Sequence, residues 1–158
     1  MYTEQTETFV LLPGMIRAGR GEGLVRTVLG SCVSVCLWDP AIGAGGMNHY
    51  LLPLWNGEGL PSPRYGNVAI PRLIERVLEL GCRRDRLVAK VFGGGAVLDI
   101  SVGLFPVGER NASLALEQLG AERIPVVARD VGGEWTRTIV FNHGTGVVRL
   151  RRLGPPAK

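Results

Sequence analysis

A cysteine directly after a Gly-Ser dipeptide, in a chain with only two histidines, is the strongest chemical feature of this sequence. Cys32 follows Gly30 and Ser31 and precedes the apolar run VSVCLW, so it falls at a glycine-permitted bend beside an extended segment. A thiol there needs only a neighbouring base or cation to raise its thiolate fraction and act as a nucleophile. Small neighbours leave room for a substrate, and the backbone N–H groups of the bend are suited to a developing oxyanion. The competing reading is a small, readily buried residue. That reading fits Cys36, inside the apolar run, and Cys82, just after Gly81, better than it fits Cys32.

The two histidines narrow the search for a base. His49 lies in GGMNHYLLP, and in an extended segment Met47, His49 and Leu51 share one side. Consecutive elements tend to lie side by side, which would bring the His49 ring next to Cys32; the alternative is an ordinary hydrogen-bonded core histidine. His143, in Asn142-His143-Gly144, reads as a surface turn residue. Cys32, Cys36 and His49 are also three soft metal ligands. On a strand, however, the two cysteines stand about 13 Å apart, so they share neither a metal nor a disulfide. The glycine stretches FGGGA and GAGG lack the Lys-Ser/Thr pair of a phosphate loop and the dinucleotide GxGxxG pattern. They read as close chain packing, and neither a cofactor nor a metal is expected.

The elements that must position these residues are mostly strands. Phe9 to Leu12 predicts a short strand, and GRGEG from Gly19 to Gly23 a turn. LVRTVLGSCVSVCLWDP is β-branched enough for one interior strand or two closely joined extended pieces. A glycine-rich turn over 41–46 leads into MNHYLLPLW, and 56–66 reads as a loop. In AIPRLIERVLELG, Ile70, Leu73, Ile74, Val77 and Leu78 recur at helical spacing, with Pro71 suited to the first turn and Gly81 to the C-cap. RLVAKVFGG is a buried-looking strand. A second helix is expected from Ala112 to Leu119, capped by Asn111 and stopped by Gly120. Strands follow over 124–128, 135–141 and 147–153, the last alternating Val148 and Leu150 against Arg149 and Arg151. Two main helices in a chain otherwise made of strands favour an α+β layer arrangement.

A length of 158 residues with 46% hydrophobic residues suits one compact domain spanning 1–158. The start MYTEQTETFVLLPG lacks the features of a signal peptide. No apolar stretch reaches the roughly 20 residues of a membrane span. Three irregularly spaced cysteines indicate free thiols in a reducing compartment, hence the cytoplasm. The net charge of +4 is dispersed. Arg83, Arg84 and Arg86 are interrupted by Asp85, and Arg149, Arg151 and Arg152 fit the wet face of a terminal strand. Without interleaved aromatics or a groove-reading motif, nucleic acid is not an expected partner. An acidic protein partner suits such a surface better.

LGSCVSVCLWDP followed by GGMNHYLLP resembles the chemoreceptor glutamine deamidase family CheD. YGNVAIPRLIERVLELG, RLVAKVFGGGAVL, VGERN and DVGGEWTRTIVFNHGTG agree in the same order, so the resemblance runs from about 11 to 153. It implies a layered α/β/β sandwich and a protein-glutamine glutaminase. The substrates would be glutamines in the cytoplasmic helices of methyl-accepting chemotaxis receptors, with receptor methylesterase activity and a CheC-type phosphatase partner also linked to the family. Cys32 corresponds to the family's nucleophile and His49 to its catalytic histidine. Thr27 corresponds to the third member, allowing a local adjustment in spacing; strict spacing would put Arg26 there, which has no acceptor for an imidazole N–H. A backbone carbonyl is the rival orienter. The family reading also makes Ser31, Gly30 and Asn48 neighbours of the oxyanion. Receptor helices require a shallow site, and the glycine-rich loops 43–46, 56–66 and 93–95 would form its rim. The alternative from another class is a non-catalytic adaptor that binds a chemotaxis signalling protein and keeps Cys32 only for packing.

Overall fold

Gly30 to Cys32 divide the long β-branched run into two strands that go to different sheets. The computed structural model describes residues 7–96 and 106–154. The first six residues of the polar start, and Val97 and Leu98 of the RLVAKVFGGGAVL stretch, lie outside the described residues. In chain order the elements are β1 (Thr8–Val10), β2 (Ile16–Arg20), β3 (Leu24–Leu29), β4 (Val33–Asp39), β5 (Ala44–Asn48), α1 (Gly66–Glu79), β6 (Val88–Gly93), α2 (Val107–Ala121), β7 (Val126–Val131), β8 (Thr136–Asn142) and β9 (Val148–Leu153). A single 3₁₀ turn at Arg84–Arg86 precedes β6.

The strands form a four-stranded sheet in the order β1-β3-β8-β9 and a five-stranded sheet in the order β2-β5-β4-β6-β7. Pairing is antiparallel except for β1 with β3 and β6 with β7. Both helices cover one face of the five-stranded sheet, and the four-stranded sheet covers the other. The result is the α/β/β layering expected of an α+β chain. β4 is the central partition. Val33, Val35 and Leu37 face the helices with Leu73, Val77, Val91 and Ala115. On the other side, Cys36 packs with Val25, Leu29, Met47, Phe92 and Phe141 between the sheets. The period of two sends alternate residues of one strand into two interiors.

Several local expectations shift. Residues 16–20 form an edge strand against β5, so the GRGEG turn shrinks to 21–23. α1 begins at Gly66, leaving Pro71 inside the helix and not in its first turn. Packing decides this start, because Gly66, Val68, Ala69 and Ile70 are all buried. α2 is longer than its apolar spacing suggests and contains Gly120, while Asn111 is its fifth residue and not its cap. Arg149 and Arg151 lie on the wet face of β9 as expected, but Arg152 turns to pair with Asp130. His143 is buried, not a surface turn residue: it is 7% exposed and fills the space above Gly19 and Gly23. A Cβ at Gly23 would overlap the imidazole ring, so that glycine makes room for a buried histidine.

Candidate active site

Cys32 stands just before β4 and His49 just after β5, on adjacent antiparallel strands. The bridge between Val33 and Tyr50 continues the register set by Cys36 and Met47. That register puts Ser34 opposite His49 and Cys32 one step further along the same face. Such diagonal neighbours lie about 7–8 Å apart at the backbone, within reach of a thiol and an imidazole. Two backbone hydrogen bonds hold the junction: Val33 N–H donates to Tyr50 O (3.1 Å), and Tyr50 N–H donates to Val33 O (3.0 Å). Met47 and His49 lie on the same side of the sheet, and the chain brings the predicted pair to one edge of the space between the sheets. Cys32 is partly exposed there and His49 is 3% exposed.

Thr27 completes a relay from the opposite sheet. Val25, Thr27 and Leu29 of β3 point inward, while Arg26 and Val28 point to solvent. Arg26 therefore lies on the wrong face for the orienting role. The Thr27 hydroxyl donates to Leu11 O at 2.7 Å, and its oxygen lies 2.7 Å from His49 Nδ1. Since the single hydroxyl proton goes to Leu11, Nδ1 must carry the proton and donate to Thr27. Nε2 is left as the lone-pair nitrogen, and among the described residues it has no hydrogen-bond partner. The His49 carbonyl is fixed as well, accepting from Gly14 N–H at 2.8 Å. The ring is thus held in the tautomer that a general base needs.

Three donors hold the Gly30–Cys32 turn from beneath. Gly95 N–H donates to Gly30 O (2.9 Å), Asn111 Nδ2 to Ser31 O (3.0 Å), and Gly94 N–H to Cys32 O (2.9 Å). With three consecutive carbonyls tied down, the peptide planes of the turn are set. Among the described residues, no backbone carbonyl accepts from the N–H of Gly30, Ser31 or Cys32, and the Cys32 N–H faces its own sulfur. Unclaimed N–H groups beside a nucleophile are what an oxyanion requires. Gly93 has φ +108°, and a Cβ on it would collide with Cys32 O, so only glycine lets β6 pass this close beneath the turn.

Burial sets the protonation states of the pair. It pushes the Cys32 thiol above its ordinary value, partly offset by the residue's own N–H, and pushes His49 down to about 4. Both shifts favour a neutral thiol and a neutral imidazole near neutral pH. Cys36 and Cys82 are buried, with both thiols pushed up by burial, Cys82 to about 11.

Other expected neighbours fall elsewhere. Asn48 alternates with His49 and points toward the helices, where its Oδ1 accepts from Val35 N–H at 2.8 Å. It supports the strand junction and does not face Cys32. Of the three glycine loops, 93–95 lies beneath the Cys32 turn and 56–66 follows the His49 segment. Residues 43–46 lie at the far end of β5 from His49 and form no rim. Asn111 was not recognised as part of the site, although the sequence carries a signal for it. Asn111, Ala115 and Leu119 form one buried helical stripe at spacing of four, and a polar residue in register with an apolar stripe calls for a partner. Among the described residues, no three His, Cys, Asp or Glu side chains gather as a metal site.

A family model described as CheD chemotactic sensory transduction matches residues 51–152. A protein of Trichlorobacter lovleyi named probable chemoreceptor glutamine deamidase CheD is 54% identical over 144 residues, covering 91% of this chain and 89% of that protein. Proteins with the same name stem in Sulfurimonas denitrificans and Anaeromyxobacter dehalogenans are 48% and 47% identical over 130 and 140 residues. These matches cover 81% and 89% of this chain, and 83% and 81% of the relatives.

Proposed function

The chain belongs to the CheD family, and from that premise we propose that it is a cysteine hydrolase that deamidates glutamine side chains of chemotaxis receptors. His49 Nε2 takes the Cys32 thiol proton as sulfur attacks the side-chain carbonyl carbon of glutamine. The carbonyl electrons move to oxygen, and the oxyanion is received by the N–H groups of Ser31 and Cys32. The carbonyl then re-forms, the C–N bond breaks, and His49 passes its proton to the leaving nitrogen. Ammonia departs and a thioester remains. Water deprotonated by His49 attacks the thioester, collapse expels the Cys32 sulfur, and His49 returns the proton to it, leaving glutamate and the starting pair. Thr27 keeps the imidazole in one tautomer through both half-reactions and stabilises the imidazolium. A glutamate methyl ester fits the same cycle, with methanol leaving in place of ammonia.

The observation that carries this reading is the Leu11–Thr27–His49 relay, which leaves Nε2 without a partner among the described residues and on the same face as Cys32. A non-catalytic adaptor has no use for a histidine locked in the tautomer of a base. The test is incubation of the wild type and Cys32→Ala with receptor cytoplasmic domains, followed by peptide mass spectrometry. Wild type should convert receptor glutamines with a mass gain of about one unit each, and Cys32→Ala should lose conversion by about 10⁴-fold or more. Undiminished conversion by Cys32→Ala would remove the mechanism.

A further inference from the structure

We propose that Asn111 of α2 is a positioning residue that holds the nucleophile turn and the histidine strand in register for attack. The inference rests on the Cys32–His49 reading above and adds a component that lies outside the sheets. The Asn111 amide is fully buried, and Nδ2 donates to two carbonyls: Ser31 O at 3.0 Å and Leu51 O at 2.8 Å. An NH₂ group has two protons, and both are used. One acceptor immediately precedes the nucleophile and the other lies two residues beyond the base. No other side chain among the described residues hydrogen-bonds both segments.

The orientation of the amide is fixed by its surroundings. Turning it over would put Oδ1 against two carbonyl oxygens, which cannot donate. As it stands, Oδ1 is buried without a partner among the described residues. Leaving a buried acceptor unpaired is unfavourable, and it is tolerated here where both N–H donations link the reacting segments. α2 is itself held at this point, because Tyr50 Oη donates to Asn111 O at 2.6 Å. Gly94 and Gly95 anchor the Cys32 turn to β6, but neither reaches the His49 segment. The Val33–Tyr50 backbone hydrogen bonds set the register of the two segments, and Asn111 adds the one side-chain clamp on both that fine-sets the separation of sulfur and imidazole without touching either. An error of about 1 Å in such a separation costs about 10²-fold in rate.

The test is the rate of Cys32 alkylation by iodoacetamide across a pH series, read on the Cys32 peptide, alongside kcat and KM for receptor deamidation. Asn111→Ala should lower alkylation and kcat together by about 10²-fold, with KM within about twofold. Asn111→Ser, which keeps one donor, should fall between Ala and wild type and serves if the alanine variant does not fold. Leu119→Ala removes a fully buried apolar side chain from the same helix, eight residues beyond Asn111. It should lower Tm while leaving alkylation within about twofold of wild type, because a merely structural loss does not alter the reactivity of the folded protein. Folded Asn111→Ala or Asn111→Ser that alkylates at the wild-type rate, beside a slow His49→Ala, would overturn the positioning role alone. A wild-type rate in His49→Ala would instead bring down the Cys32–His49 pair, and this inference with it.

Discussion

The two interiors on either side of β4 are built from alternate residues of one strand, yet they differ in kind. On the helix side, Val33, Val35 and Leu37 meet Leu73, Ile74, Val77 and Val91 in a continuous apolar core. Between the sheets, the same strand places Ser34 and Cys36 on a face shared with Cys32, His49, Thr27 and the fully buried Arg137. Arg137 is held by Asp130 at 2.7 Å and by the Gly132 carbonyl at 2.6 Å. Among the described residues both interiors hold unpaired polar atoms, Asn48 Nδ2 and Asn111 Oδ1 on the helix side and Ser34 Oγ and His49 Nε2 between the sheets, but only the second pair shares the face of Cys32. The contrast teaches that the apolar interior supplies the stability that lets the other keep reactive groups in unfavourable protonation states and pairings.

The largest effect that sharpens this contrast belongs to the helix side. Leu73 is fully buried in the apolar core, so Leu73→Ala should cost about 2–5 kcal/mol of unfolding free energy. Denaturant melts would measure the loss, and Cys32 alkylation in the folded fraction should stay at the wild-type rate. A fall in alkylation equal to that of Asn111→Ala would mean that the two interiors are not separable.

The next effect belongs to the space between the sheets and depends on pH. Burial lowers His49 from 6.5 to about 4, so between those values the unfolded chain binds a proton that the folded protein does not. Stability therefore rises with pH in that window; it is complete above about 6.5 and is lost as pH falls toward 4. A shift of this size corresponds to about 3 kcal/mol. His143, lowered chiefly by burial, adds to the loss with the same sign. Asp130, where hydrogen bonds from Arg152 and Arg137 outweigh burial and lower the carboxyl, loses its contribution only at lower pH. Unfolding curves between pH 4 and 7 should flatten in His49→Gln; an unchanged slope would show that His49 is not the buried neutral base described here.

The same two interiors explain what could be read from the sequence. Apolar periodicity marks the helix side directly: Ile70, Leu73, Ile74 and Val77 disclose α1, and Val33, Val35 and Leu37 disclose an inward strand face. The candidate pair stands out in the sequence because Cys32 follows Gly30-Ser31 and only one histidine lies near it in the chain, and the fold sets both on one face. What escaped was long-range. Leu11 O reaches Thr27 across 16 positions, and Asn111 reaches Ser31 across 80, so local spacing can mark Asn111 as buried but names the partner of neither. His143 looked exposed because its neighbours favour turns. Its burial depends on Gly19 and Gly23, more than 100 positions earlier. Asn111 suits a cap by its type, but α2 starts at Val107, four residues earlier.

Ser34 offers the smallest effect and the finest test of the comparison. Its register places it opposite His49, and its hydroxyl is buried with no partner among the described residues. If the hydroxyl has no role, Ser34→Ala removes an unsatisfied polar group and loses no hydrogen bond, since buried unpaired groups are themselves unfavourable. The variant should match wild type or exceed it by up to about 1 kcal/mol in stability. Deamidation kcat and Cys32 alkylation should both stay within about twofold of wild type. A stability gain accompanied by a loss of kcat would show that Ser34 is kept at a cost to folding because it serves the reaction, most simply by holding water for the thioester step. The thiol relay would then extend one residue further into β4 than the Leu11–Thr27–His49 chain implies.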